Sequence, residues 1–245
     1  MLERRILSTQ VTSLAAVGRG RTLESALEAV AGRHQVVELT IGCTPSPCLL
    51  AHLTRLKLSA IAHHAIPTST GEIRHPETTS PNAMASELNA LGVKFYSLHP
   101  PKASSRETPE SHAAVWFAAM DEFRIPCALE TMYPLVANSI PKKEYSMDSG
   151  CEALRYVRKM QSAGYERPLV ADVAHINIGL KHGLWNLTQV RELVRSGGVA
   201  ALHYSSNNGD RDEHRALSRE DGAILELLHE FDTAGHAYEV DEGRA

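Results

Sequence analysis

Six side chains of metal-ligand type, His64, His99, Glu130, Asp172, His203 and Glu239, each stand near the end of a short apolar run. The runs are LSAIAHH (58–64), KFYSLH (94–99), PCALE (126–130), PLVAD (168–172), VAALH (199–203) and AYE (237–239). Glu130, Asp172, His203 and Glu239 combine three carboxylates with one imidazole, a mixed oxygen and nitrogen set suited to Mn, Co, Zn, Fe or Mg. His64 and His99 could hold a second ion, with Glu130 or Glu239 bridging the pair. Two ions about 3.5 to 4 Å apart activate a water and stabilise a leaving oxygen. A third group lies slightly outward: His175, three residues past Asp172 in DVAH, and the D-x-H pair Asp212 and His214. Two histidines and one carboxylate leave a coordination position for water or substrate.

Such a series makes one site only if the fold gathers strand ends. Short β-rich runs alternate with helical patterns along the chain, which is the sequence form of βα units and a parallel sheet. Eight strands are expected, beginning with ILSTQVT (6–12) and VVELTIG (36–42) and continuing through the six runs above. A (β/α)8 barrel sets the C-terminal ends of its strands around one mouth, so donors scattered in sequence converge in space. In TLESALEAVAG, Thr22 is placed to cap a helix whose buried face is Leu23, Ala26, Leu27 and Val30, and in SREDGAILELLHEF Ser218 precedes acidic first-turn residues. The turn-rich stretches 68–82, 131–150 and 204–214 all follow strands and would wall the mouth. No linker, repeat or low-complexity tract interrupts the rhythm, so residues 1–245 are expected to form a single TIM-barrel domain of the α/β class.

Other positions have a blander reading. A lone histidine at a strand end usually makes a structural hydrogen bond, and His63, His75, His112 and His182 are left without a functional role on that ground. For Glu130, Asp172, His203 and Glu239 the alternative is a buried ion-pair network, but buried carboxylates need compensating cations and the local sequences supply few. Glu38, inward in VVELTIG, and Tyr204 and Asn207 are candidates to line the substrate. Arg215, with Arg211 beside it, could clamp a phosphate or carboxylate. HEFDTAGH, near residue 229, separates its histidines by seven residues, which excludes the i, i+4 geometry of a zinc-binding helix and leaves helix and turn.

Bulk properties narrow the partners. With 25 Lys and Arg against 29 Asp and Glu, the formal charge of -4 offers no global basic field for a polyphosphate backbone, so nucleic acid is not the expected partner. No apolar stretch approaches the roughly 20 residues that span a bilayer, and MLERRILSTQ lacks a signal-peptide core, so no membrane association and a cytoplasmic location are expected. Four cysteines form neither a disulfide framework nor a CxxC zinc pattern. A homo-oligomer is compatible with this composition.

The phrases HAIP (64–67), LHPP (98–101), LETMYP (129–134), DVAH (172–175), HYSSNNGDRDEH (203–214) and YEVDEG (238–243), taken in order, resemble the xylose isomerase-like barrel superfamily, which includes endonuclease IV and many sugar isomerases and epimerases. The resemblance covers nearly the whole chain. With endonuclease IV as guide it implies three zinc ions: His64, His99, Glu130 and Glu239 on one; Asp172, His203, Glu130 and Glu239 on the second; His175, Asp212 and His214 on the third. The chain departs from that enzyme at Pro101 and at Thr131 and Met132, and NNGDRDEH is closer to the loop of the sugar isomerase branch, where Glu130, Asp172, His203 and Glu239 would bind the catalytic ion. The expected enzyme therefore holds about one to three divalent ions (Zn, Mn, Co, Mg or Fe) and isomerises or epimerises a small carbohydrate-like substrate. Glu130 and Glu239 are its catalytic carboxylates, removing the proton beside a carbonyl to give a metal-stabilised enediolate. The alternatives are a trinuclear zinc phosphoesterase of endonuclease IV type and a multinuclear iron oxidase of a biosynthetic pathway.

Overall fold

The computed structural model describes residues 9–18, 21–41, 46–137 and 140–243. Eight parallel strands close into a barrel in sequence order. They are β1 (Thr9–Ser13), β2 (Val36–Leu39), β3 (Ser59–His63), β4 (Tyr96–Leu98), β5 (Cys127–Glu130), β6 (Leu169–Asp172), β7 (Val199–Tyr204) and β8 (Tyr238–Asp241). Each expected strand is present; residues 6–8 and Gly42, which the sequence assigned to the first two, lie outside the described residues, as does Cys43.

Strand alternation sorts side chains into two cores. Val11, Ile61, Phe95, Ala128, Val170, Ala201 and Val240 fill the barrel interior, one or two from nearly every strand. Their neighbours of opposite parity, such as Val37, Ala62, Leu98, Leu129, Ala171 and Leu202, face outward and pack against the helices. Both faces are apolar because helices cover the outside of a parallel barrel.

The helices form where their caps and apolar stripes direct. Leu23–Ala31 is capped by Thr22, whose side chain accepts from Ser25 N, and buries Leu23, Ala26, Leu27 and Val30. The last helix, Gly222–Phe231, begins later than its sequence suggests: Ser218 does not cap it, because its hydroxyl and its amide both donate to Asp221 ahead of the first turn. His229 and His236 do fall on helix and following turn, each beside its own carboxylate, Asp232 and Glu239.

The loops after the strands carry small structures of their own. Ile66–Pro67 pairs with Ile73–Arg74, and Leu135–Ala137 with Ile140–Lys142, as short antiparallel hairpins, while Ser206 bridges to Arg215. They rise on the side where the strands end. No helix among the described residues is long and apolar enough to cross a membrane. Cys48, Cys127 and Cys151 are free thiols.

Candidate metal centre

Parity decides which donors meet. On β3, Ile61 faces the interior, so His63 does too; on β8, Val240 faces the interior, so Glu242 follows it. Their sequence neighbours go elsewhere. His64 adopts a left-handed backbone (φ 50°), meets Glu77 Oε1 through Nε2 at 2.9 Å, and stacks on His99 with ring centroids 3.8 Å apart. Glu239 lies in register with outward-facing Leu202 and engages His236 Nε2 (2.8 Å) and Gln10 Nε2 (2.7 Å) on the barrel's outer side. The structure thus puts His63 where His64 was expected and Glu242 where Glu239 was expected, because an odd step along a strand, one residue between His63 and His64 and three between Glu239 and Glu242, turns a side chain to the opposite face.

The inner cluster is built on Glu130. Its Oε1 lies 2.9 Å from His203 Nδ1, and its Oε2 lies 2.9 Å from His63 Nε2 and 3.3 Å from His99 Nε2. The two histidine nitrogens are only 3.1 Å apart. Glu242 Oε1 approaches His63 Nδ1 at 3.3 Å and His203 Nδ1 at 3.4 Å. Glu130, His203 and Glu38 are fully buried, whereas His99 and His214 keep 21% and 26% of their side chains exposed and form the rim.

The outer group lies around Asp172 and His175. Asp172 ends β6 and caps the helix Val173–Lys181 by accepting from His175 N, which brings His175 Nδ1 within 3.3 Å of Asp172 Oδ2. The Thr131 carbonyl accepts from His175 Nδ1 at 2.7 Å. This leaves Nε2 to face Asp212 Oδ2 at 3.5 Å, and His214 Nε2 meets the same oxygen at 2.6 Å. His214, like His64, is a non-glycine residue in the left-handed region (φ 47°), a strained conformation of the kind that clusters at functional sites.

The electrostatics show what the cluster lacks. Among the described residues no Lys or Arg pairs with Glu38, Glu130, Asp172, Asp212 or Glu242; every ion-pair partner is a histidine. Burial disfavours the charged form of His63 and His203, yet the carboxylates of Glu130, Glu242 and Glu38 outweigh it and hold both well above the ordinary imidazole range. Burial would likewise raise Glu130 and Glu242, but the same histidines pull them well below the usual carboxylate range. Asp172 is pushed up to about 7 by burial, against His175 and with Glu242, Glu130 and Asp212 adding to it. His175 is raised to about 10: burial opposes, and Asp172 and Asp212 prevail. For His99 and His64 burial wins and both pKa values fall, His64 to about 2 with the neighbouring histidines adding to the effect.

Among the described residues, buried atoms with no aligned hydrogen-bond partner include both oxygens of Glu38, Glu130 Oε1, both nitrogens of His203, Asp212 Oδ1 and His214 Nδ1. Unpaired buried polar atoms are costly, and divalent cations would satisfy them. Three sets of donors, each mutually within 4.8 Å, fit such ions: Glu38, His63, His203 and Glu242; His63, His99 and Glu130; Glu130, Asp172 and His175. The residues present therefore suit a polynuclear divalent centre of mixed nitrogen and oxygen ligands.

The residues expected to line substrate are placed differently. Tyr204 has outward parity and packs against the outer core. Asn207 is buried with its amide used internally, donating to the Ala174 carbonyl and accepting from Asn177 Nδ2 and Gly209 N. Arg215 pairs with Glu213 and lines a groove between the helices Val173–Lys181 and Gly222–Phe231 that contains none of the donors. Glu38 is inward as expected but sealed below the histidines. What borders the mouth instead is a recess of about 80 Å³ beside His99, lined by His64, Glu77, Pro101, Lys102, His112 and Tyr145. Tyr145 meets the His99 ring edge-on, and Tyr133 packs on His175 at 4.7 Å. A larger cavity of about 360 Å³ opens among Lys94, Phe95, Arg167 and Tyr238 at the strand starts, the opposite end of the barrel, and contains none of the donors.

No protein-family model matches the sequence, and no curated protein matches it. Solved structures do resemble the fold. The IolI protein, solved with a bound zinc atom, superposes with a TM-score of 0.60 at 15% identity, over 96% of this chain and 89% of that one. D-psicose 3-epimerase from Clostridium cellulolyticum, solved with D-tagatose, gives 0.60 at 13% identity, over 95% and 84%. Endonuclease IV from Thermus thermophilus gives 0.53 at 14% identity, over 97% and 93%. The closed parallel barrel and these likenesses together show that the chain has the xylose isomerase-like TIM-barrel fold.

Proposed function

We propose that the chain is a polynuclear, divalent-metal-dependent enzyme acting on a small oxygen-rich substrate, and that hydrolysis of a phosphoester is the reaction its donor set suits best. One observation carries this reading: Glu130 belongs to two of the donor groups, with His63 and His99 in one and with Asp172 and His175 in the other, so ions held there would stand side by side. Adjacent divalent ions supply Lewis-acid polarisation of substrate oxygens and stabilise both attacking and leaving oxygens of an in-line displacement. The bound zinc atom of IolI and the endonuclease IV likeness support the choice of metal.

The chain's own residues would do the rest. Grouped as the resemblance implies, with His63 for His64 and Glu242 for Glu239, His63, His99 and Glu130 would hold one position, Glu130, Asp172, His203 and Glu242 a second, and His175, Asp212 and His214 the outer one, which leaves Glu38 of the first distance group without an ion of its own. The partly exposed rim of His99 and His214, with Tyr133, Tyr145 and Lys102 above it, would receive the substrate. Burial of the inner donors limits what reaches them to a small group projecting from the mouth. The net charge of -4 favours a small substrate over a duplex.

A second reading, isomerisation or epimerisation of a carbohydrate-like substrate, is favoured by the placement of Glu130 and Glu242 within 3.4 Å of the same His203 nitrogen. Two carboxylates so disposed can remove and return a proton beside a carbonyl. In that reaction Glu242 takes the role the sequence assigned to Glu239. The epimerase among the structural neighbours supports it.

Elemental analysis of protein purified without chelator or a metal-binding tag, followed by assays on a chromogenic phosphodiester and on ketohexoses, tests both. About two to three ions per chain with chelator-sensitive phosphoester cleavage is expected. One exchangeable ion with proton exchange on a ketose would favour the isomerase, and bound iron would redirect the search to oxygen chemistry. Failure to take up any ion on reconstitution would refute the metal reading.

A further inference from the structure

Glu38 is not accounted for by the ligand positions above. It stands on β2 level with Ile61, one inward position deeper than His63, at the boundary between the apolar interior layer and the donor cluster. It is fully buried, and no substrate entering by the mouth could touch it without displacing His203, which is itself fully buried. Neither of its oxygens has an aligned donor, and no Lys or Arg compensates it among the described residues.

Its neighbours are two histidines, and each presents Glu38 with the nitrogen turned away from Glu130. His203 offers Nδ1 to Glu130 Oε1 at 2.9 Å and Nε2 to Glu38 Oε1 at 3.2 Å. His63 offers Nε2 to Glu130 Oε2 at 2.9 Å and Nδ1 to the side of Glu38 Oε2 at 3.8 Å, nearer to Glu242 Oε1 at 3.3 Å. A histidine bound to a metal through one nitrogen carries its proton on the other, and a carboxylate that accepts this proton fixes the tautomer and the ring orientation and raises ligand basicity.

Resting on the metal reading of the site, we infer that Glu38 is a positioning carboxylate shared by His203 and His63. With the ions bound it would accept the Nε2 proton of His203, 3.2 Å away, and, with Glu242, draw the Nδ1 proton of His63, so that His203 Nδ1 and His63 Nε2 are presented to the ions. Glu38 itself is not a ligand and not a substrate contact.

The test compares metal-free wild type with Glu38→Gln, which keeps size and an acceptor but loses charge, and Glu38→Leu, which loses both. Each is titrated with Co(II) against a competing chelator, reading affinity, stoichiometry and the visible spectrum. The expected result is unchanged stoichiometry with affinity weakened roughly 10- to 100-fold in the Gln variant. The Leu variant should be weaker still, and both spectra should shift. Metal-free melts of both variants report whether each folds, and Glu38→Gln, which keeps the side chain's size, decides the matter alone if the Leu variant does not fold. Equal affinity and an identical spectrum in Glu38→Gln would overturn the inference while leaving the metal site intact. So would loss of one ion with the others at full affinity, which would make Glu38 a ligand. Absence of Co(II) binding by wild type is a different failure, that of the metal reading itself.

Discussion

Nε2 of His63 and Nε2 of His99 lie 3.1 Å apart, both turned to the same Glu130 oxygen. A single proton can satisfy that contact, and so can a cation with three ligands already in place. His63→Ala should therefore weaken metal binding by more than about 100-fold, beyond the loss usual for an outer partner. His64→Asn, which tolerates the left-handed backbone, should change it by less than about 10-fold, since His64 turns its Nε2 to Glu77 and meets the donors by stacking on His99. Metal titration of the two variants, adjacent in sequence, reads the face of β3 directly.

The end of β8 offers the same contrast. Glu242→Gln should abolish activity and metal loading, because Glu242 lies beside both His63 and His203. Glu239→Gln should leave metal content unchanged and lower stability by about 1–3 kcal/mol, the cost of disturbing a buried hydrogen-bonded pair with His236. Denaturant midpoints and elemental analysis on the two proteins separate the effects. Metal loss in Glu239→Gln without loss in Glu242→Gln would reverse the assignment.

His214 reaches the centre only through Asp212 at 2.6 Å and, more distantly, Glu242 at 3.8 Å. His214→Ala should remove the outer ion alone and leave the Glu130 positions loaded. Phosphoester cleavage should then fall by about 100-fold or more, the scale on which one stabilising group contributes, whereas an isomerase using the inner ion would retain most of its rate. Stoichiometry and both assays on this variant discriminate the two reactions.

In metal-free protein the raised pKa of His175, about 10, means that the folded state holds a proton the unfolded chain gives up near the ordinary imidazole value. This contribution to stability is fully present below about 6.5 and is lost as pH rises through about 10. The elevated Asp172, about 7, acts with the same sign, its contribution disappearing between the ordinary carboxylate range and about 7. Metal-free wild type should thus melt at progressively lower temperature from pH 6 to pH 10. Metal reverses the trend, since ions compete with these protons and bind more tightly as pH rises. Thermal melts with and without added ion across that range should slope in opposite directions, and parallel slopes would count against ligation by His175.

Much of the site was legible because its logic is local. His99, Glu130, Asp172 and His203 each arrive at or just past the end of a short apolar run, and the structure sets all four at the ends of β4 to β7. His175 could be placed because Asp172 caps the helix that follows β6, which fixes the three-residue offset. Asp212 and His214 were readable as a D-x-H pair, although their meeting with His175 depends on the path of the loop after β7. Tyr204 and Arg215 stand apart from the donors for different reasons: the first follows an inward residue and faces out, and the second pairs with Glu213.

By itself, then, the sequence determined the βα rhythm, the barrel it implies and the donors gathered at strand ends, because capping, alternation and strand length act over a few residues. Tertiary structure alone decided between His63 and His64 and between Glu239 and Glu242. A parallel strand wrapped by helices is apolar on both faces, so hydropathy cannot tell which of two residues of opposite parity looks inward. That is settled by register with neighbouring strands far away in sequence, Leu202 opposite Glu239 and Ala62 opposite Tyr96, and a shift of one residue would have exchanged every inward side chain for its outward neighbour.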